Sequence, residues 1–494
     1  MKTRIVCLTL AVAWACAVPN PALAKPARAP ERVWTYTLLE GSYLLDDCPV
    51  CDRPSIPQPM RGTFELALVE EMHPFARYEL RNLAFAAGSI GGRTYKVAGG
   101  GTYSLGGETW VEQNLTLEVH IDDGLANQLC YLTNSSPDVT RGWPILELTA
   151  IQTNGTFAQV YHLTLVAAPV REIWVSTASG LTPGAGPGLP SHVSPGDLLS
   201  SAGRVVRANA ELTRRLGIMP LVPDLGLDAV DILPGGEVVF SLAQDMFSET
   251  LGPLHHGDLL SEQGRIVHGY QDLISLFAPQ PPVPDVGLDA VQVLDNGEVY
   301  FSIEDSLFSE KLGRLLGRGD LLSDRGRVVA ANKELLARFQ PTANGKDFGL
   351  DALHVWTSGE IWFSVEEGFQ DQRLGPIQPG DLLSNQGSIV FRNLELLARF
   401  APLEDLADFG LDALFVVSDA APPASAPVLS PIRVDRQTGV IAVEWEGAGR
   451  VFQLERAATV LGPFLPVEPI SPDAASAVTG LTEGPQLFFR VRQW

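Results

Sequence analysis

A unit of about 61 residues recurs four times between residues 171 and 418, and this recurrence limits what the chain can fold into more than any other feature. The clearest copy runs Gly359-Glu-Ile-Trp-Phe-Ser364, Gly380-Asp-Leu-Leu-Ser384, Gly387-Ser-Ile-Val-Phe391, Asn393-Leu-Glu-Leu-Leu-Ala-Arg-Phe400 and Asp408-Phe-Gly-Leu-Asp-Ala413. The first element has counterparts at Glu172, Glu237 and Glu298. Gly-Asp-Leu-Leu-Ser starts at Gly196, Gly257, Gly319 and Gly380, and Gly-Leu-Asp-Ala at Gly226, Gly287, Gly349 and Gly410, with spacings of 61, 62 and 61 residues.

Within a unit, three short apolar runs separated by Gly read as strands. The run Leu411 to Val417 is continuously apolar, as in a strand buried on both faces. Asn393 to Phe400 reads as a short helix, with Asn393 able to cap it and Leu396, Leu397 and Phe400 on one face. Four strands per unit is the arithmetic of a propeller blade. The phase favours closure, because the strand at Leu411 to Val417 can complete the sheet begun at Glu172. An open stack of β units is the competing architecture.

The strands Asp295-Asn-Gly-Glu-Val-Tyr-Phe-Ser302 and Ser358-Gly-Glu-Ile-Trp-Phe-Ser364 resemble those of NHL- and SMP-30-type propellers, a likeness that covers about half the chain. It implies a propeller-like ring; an SMP-30-like lactonase would further need an asymmetric set of metal ligands, which does not map onto these residues.

Forty-seven Gly and 37 Pro punctuate the remainder, and the expected class is all-β. Lys2 and Arg4, the apolar run Ile5 to Val18 and Ala22-Leu23-Ala24 form an export signal spanning 1–24, with cleavage expected after Ala24. Residues 25–170 read as strands throughout, a β-sandwich or barrel: Phe64, Leu66 and Leu68 alternate with polar neighbours, as do Leu115, Leu117, Val119 and Ile121, and Asn154-Gly155 marks a hairpin. Repeats with short helices fill 171–418, and a Pro/Ala linker spans 419–428. Residues 429–494 resemble a small fibronectin type III-like sandwich through Val443-Glu-Trp445, Phe452-Gln-Leu-Glu-Arg456, Gly462-Pro-Phe464 and Phe488-Phe-Arg-Val-Arg492. That likeness implies spacing or adhesion.

A formal net charge of −23 disfavours nucleic acid and anionic lipid and leaves cations or basic partners as electrostatically suited ligands. No run after the signal is long and apolar enough to span a bilayer. Cys48, Cys51 and Cys130 remain after cleavage, and a disulfide among them is expected in an oxidising compartment, its pairing open. His73, His120 and His162 are too scattered for a metal site.

The repeats carry three quartets of aspartate: Asp197, Asp258, Asp320 and Asp381; Asp224, Asp285, Asp347 and Asp408; and Asp228, Asp289, Asp351 and Asp412. Such residues either accept hydrogen bonds from the amides of their own turns or, in the last quartet, converge on the ring axis to hold a hard cation such as Ca²⁺. Fourfold sameness argues against catalysis, which needs different residues in different roles. The better markers of a specific site are the residues that break the pattern: His255 and His256, His354 and Trp356, and the Gly/Pro loop 179–195.

No nucleophile, zincin, phosphate-loop or EF-hand spacing occurs, so no catalytic and no cofactor-binding residue is assigned. The expected function is that of a secreted, periplasmic or cell-surface binding or scaffold protein that recognises a protein or glycan without turning it over. The alternative is an extracytoplasmic metal-dependent hydrolase or lactonase with its site on the axis.

Overall fold

A computed structural model describes residues 32–494 except 52–53, 89–92, 108–110, 185–187, 223, 283–284, 344, 421–422, 424, 436–439, 461–462 and 479–486. The expected export signal, 1–24, lies outside the described residues. Residues Val33–Trp494 form one compact unit. Among the described residues it is all-β, with four short α-helices and one 3₁₀ turn, Ser275–Phe277.

The first part is a closed antiparallel barrel. Its strands are β1 (Val33–Leu38), β2 (Tyr43–Asp47), β3 (Gln58–Met72), β4 (Phe75–Ala87), β5 (Tyr95–Gly106), β6 (Glu112–Asp122), β7 (Asn127–Asn134), β8 (Leu146–Gln152) and β9 (Val160–Ala168). From β3 to β9 each strand pairs with the next, and β1 and β2 lie end to end between β3 and β9 to close the ring. Closure leaves no sheet edge to cover. The period-two pattern does the sorting: Leu115, Leu117, Val119 and Ile121 of β6 point into a core with Tyr36, Phe64 and Tyr103, while His120 faces solvent. Cys48 and Cys51 are joined in a disulfide beyond β2, and Cys130 is a buried thiol within the barrel.

The repeats make four four-stranded antiparallel sheets. Three are each built within one stretch of chain, with inner strands Val230–Ile232, Val291–Val293 and Leu353–Val355. The fourth is shared between the two ends of the repeat region. Its inner strand, Ala413–Ser418, pairs with β10 (Val170–Ser176) in the register Glu172↔Val417, Trp174↔Phe415 and Ser176↔Ala413. The four inner strands touch one another in cyclic order, which gives a propeller-like ring.

Each sheet is pinned by the glutamate that opens its second strand. Glu172, Glu237, Glu298 and Glu360 accept a hydrogen bond from Ser200, Ser261, Ser323 and Ser384 respectively. Arg204, Arg265 and Arg327 neutralise the first three. Ser388 occupies the arginine's place in the last repeat, and the missing cation comes from the barrel instead: Arg141, between β7 and β8, lies 2.7 Å from Glu360 with both side chains buried.

Two local expectations are corrected. Asn393 does not cap its helix: Arg392 is the N-cap of Asn393–Leu396, while the Asn393 side chain accepts from the Phe409 amide and donates to the Gly410 carbonyl. A two-residue-wide polar amide is better spent bridging to the next turn, because Glu395 already reaches back to the Arg392 amide. The units also contain a fifth and sixth strand in three cases, the hairpins Met246–Ser248 with Gly252–Leu254, Leu307–Ser309 with Arg314–Leu316, and Phe369–Asp371 with Gly375–Ile377. In the first repeat the loop 179–195 takes that place, held by the bridge Leu181↔Val193.

The last part is a small two-sheet module around Val443, Trp445, Phe452, Leu454 and Val491. It seats on one end of the ring. Arg450 reaches buried Asp231 at 3.1 Å and donates to the carbonyls of Ile232 and Val293. Gly236 (φ +91°) lies so close to Pro472 that a Cβ would meet the Pro472 carbonyl oxygen at 1.8 Å, so this contact admits only glycine.

Candidate functional site

The three aspartate quartets serve different ends. Asp197, Asp258, Asp320 and Asp381 each accept the first amide of the following helix on Oδ1 and an amide of their own turn on Oδ2, at 2.8–3.2 Å. Asp224, Asp285 and Asp408 each bridge the glycines that open two neighbouring motifs, and Asp347 accepts from Gly349. These eight are turn staples.

Asp228, Asp289, Asp351 and Asp412 accept no backbone hydrogen bond. They precede the four inner strands at the ring end away from the C-terminal module. Oδ2 of Asp228 and of Asp289 is buried with no hydrogen-bond donor in reach, and Asp289, 5% exposed, has another acid, Glu366, as its hydrogen-bonding neighbour.

Their electrostatics follow from this crowding. Burial first, then the charges of Glu304 and Asp412, push Asp228 up to about 8. Burial and then Asp408 raise Asp412 to about 7. Asp289 and Asp351 are raised well above the carboxylate range by burial and then by neighbours that include Asp351 and Asp412 respectively. Like charges without donors cannot all ionise at once.

Around this quartet the ring is not fourfold. The position before each Gly-Asp-Leu-Leu-Ser carries Pro195, His256, Arg318 and Pro379; the second residue after each Glu-x-x-x-Ser serine carries Ala178, Ala243, Glu304 and Glu366. His256 therefore faces Glu304 of the next repeat, Nε2 to Oε2 4.0 Å, and Arg318 pairs with Glu366. His256 Nδ1 also lies 2.7 Å from Asp245 and 3.1 Å from Asp285. Burial opposes its protonation, but the Asp245 hydrogen bond and the charges of Asp285 and Glu304 outweigh it and raise its pKa. Asp245, His256 and Asp285 are the one group among the described residues that offers three metal-ligand atoms within 4.8 Å of one another.

The mouth of the ring thus gathers Asp228, Asp289, Asp351, Asp412, Asp245, Asp285, Glu304 and Glu366 with two histidines, His255 and His256, and with Arg318. Oxygen donors in this excess suit a hard divalent cation, with an imidazole as an added nitrogen ligand at one side. His255 packs its ring on Tyr270 at 4.9 Å while its Nδ1 lies 3.7 Å from Asp245 and 4.0 Å from Asp285, and His354 and Trp356 lie at the opposite end. His73, His120 and His162 join no metal-type cluster. The His256–Glu304 and Arg318–Glu366 pairs were detectable in the sequence only by aligning the repeats one position ahead of the glycine motif.

No protein-family model matches the chain, and no curated protein does. Two solved structures of an extracellular domain from B. thetaiotaomicron are similar to it, described as part of a one component and of a hybrid two component system. One is 7% identical with a TM-score of 0.19, covering 88% of this chain and 77% of that one. The other is 8% identical with a TM-score of 0.19, covering 87% and 76%.

Proposed function

We propose that the chain is an exported, non-enzymatic binding protein that takes a hard divalent cation of the Ca²⁺ type at the acidic mouth of its ring and engages a protein or glycan ligand through the cation-completed face. The supporting observation is that Oδ2 of Asp228 and of Asp289 is buried without a donor amid carboxylates that raise one another. A cation removes both penalties, the missing partner and the repulsion. The export signal agrees with a compartment rich in Ca²⁺, and no helix among the described residues is long and apolar enough to cross a membrane.

Thermal melts of the mature chain with Ca²⁺, Mn²⁺, Zn²⁺ or chelator test the reading. Ca²⁺ at 100 times its Kd adds about 2.7 kcal/mol and raises the melt by a few degrees. Asp289→Asn raises the melt in chelator, by removing repulsion, and abolishes the Ca²⁺ response. A melt that no ion moves overturns the proposal.

A further inference from the structure

Three residues of one repeat have no counterpart in the other three. Where Asp245 stands, the other repeats carry Gly180, Ser306 and Gly368; His255 answers to Ser194, Gly317 and Gln378, and His256 to Pro195, Arg318 and Pro379. The fold brings the three together. Asp245 precedes the hairpin of Met246–Ser248 with Gly252–Leu254, and the two histidines follow it, so both ends of the hairpin meet at one point. Asp285 joins them there from the turn ahead of the next inner strand, Val291–Val293.

The distances are those of a ligand set. His256 Nδ1 lies 2.7 Å from Asp245 and 3.1 Å from Asp285, and His255 Nδ1 lies 3.7 Å and 4.0 Å from the same two carboxylates. Ligand atoms about 2.0–2.1 Å from a tetrahedral Zn²⁺ stand about 3.3 Å from one another, and the four distances bracket that edge. The ligand atoms are also held from behind. Asp285 accepts the amides of Gly257 and Gly287, Asp245 accepts the His256 amide, and Glu304 stands 4.0 Å beyond His256 Nε2. Metal-bound imidazoles are commonly oriented in this way, with one nitrogen on the ion and the other toward a carboxylate. Asp245 is exposed and leaves an entry path, whereas the Asp285 side chain is buried.

We infer that Asp245, His255, His256 and Asp285 form a Zn²⁺ site, distinct from the quartet Asp228, Asp289, Asp351 and Asp412, that pins both ends of the hairpin to the following repeat. Two imidazole nitrogens turn the preference away from Ca²⁺ and Mg²⁺, which take oxygen, and toward zinc. Zn²⁺ on His256 Nδ1 replaces the proton that His256 and Asp245 share in its absence. A plain ion pair is the competing account of the 2.7 Å contact. It uses His256 and Asp245 alone, and leaves unexplained why His255 and the amide-held Asp285 converge on the same point. The site stands whether or not the quartet binds Ca²⁺.

The test uses the mature chain, stripped of metal by chelator and titrated with Co²⁺ as a coloured stand-in for Zn²⁺. Bound Co²⁺ gives the intense visible band of a four-coordinate ion, which Zn²⁺ bleaches and excess Ca²⁺ does not. His256→Gln abolishes the band, and His255→Gln weakens Zn²⁺ at least about tenfold, while melts in chelator show both variants folded. No band, the pale spectrum of a six-coordinate ion, or a band that survives His256→Gln overturns the site and leaves an ion pair. Unchanged Zn²⁺ affinity in His255→Gln overturns the two-nitrogen set. A chain whose melt answers Ca²⁺ but that shows no band loses this site and keeps the acidic mouth; a band without a Ca²⁺ response does the reverse.

Discussion

At the scale of single residues, His354 shows how burial becomes pH dependence. Its pKa is pushed down from 6.5 to about 3, by burial first and then by Arg450. Asp231 and Asp295 at that end are engaged with Arg450, and Asp419 with Arg171 and Arg492. The unfolded chain therefore binds a proton between pH 6.5 and 3 that the folded chain refuses. The contribution is whole above pH 6.5 and is lost as pH falls toward 3, by up to about 1.4 kcal/mol per unit. Urea midpoints of wild type and His354→Gln, followed from pH 7 to 5, converge as the wild type loses stability faster; parallel curves would show that the ring is solvated. The sequence singled out His354 and Trp356 because they break the repeat pattern. It could not reveal that Arg450 and Trp494, from another part of the chain, line the same cavity as these two residues.

At the scale of elements, the shared sheet decides whether the repeats are a ring. Ala413–Ser418 contributes Phe415, which packs on Trp174 with centroids 5.5 Å apart. Phe415→Ala is expected to cost about 3–5 kcal/mol, the price of an aromatic removed from a core. Because that residue joins first and last repeats, Trp fluorescence and far-UV dichroism should shift together in denaturant; a local early transition would mean that the sheets are energetically independent. The pairing was legible from the phase of the repeats, with Glu172 opening the region and Val417 closing it. The three hairpins beginning at Met246, Leu307 and Phe369 were not. Strands of three residues display barely one alternation, too little for periodicity to separate them from a loop.

At the scale of the whole molecule, barrel, ring and terminal module share buried charges. Asp419 accepts from the Thr35 amide of the barrel, from Arg171 of β10 and from the Trp494 indole at 2.7–2.8 Å. Arg141 supplies to the last repeat the cation that Arg204, Arg265 and Arg327 supply to the others. Arg141→Met leaves Glu360 buried and unpaired and should cost about 3–5 kcal/mol. Ser388→Arg in the same chain should recover part of that loss, read from urea midpoints; no recovery would mean that Arg141 acts through packing alone. The all-β class and the strands from Val33 to Ala168 followed from alternation and turn residues. Closure into a barrel did not, because it rests on β1 and β2 meeting β9 more than a hundred residues later, which no local pattern encodes. The shared sheet has a kinetic consequence as well. Ser418 hydrogen-bonds the Pro169 carbonyl across 249 residues, so a chain made from its N-terminus presents β10 long before its partner exists. Until then β10 is an unpaired apolar edge, and nascent or refolding chains are exposed to pairing with one another during that wait.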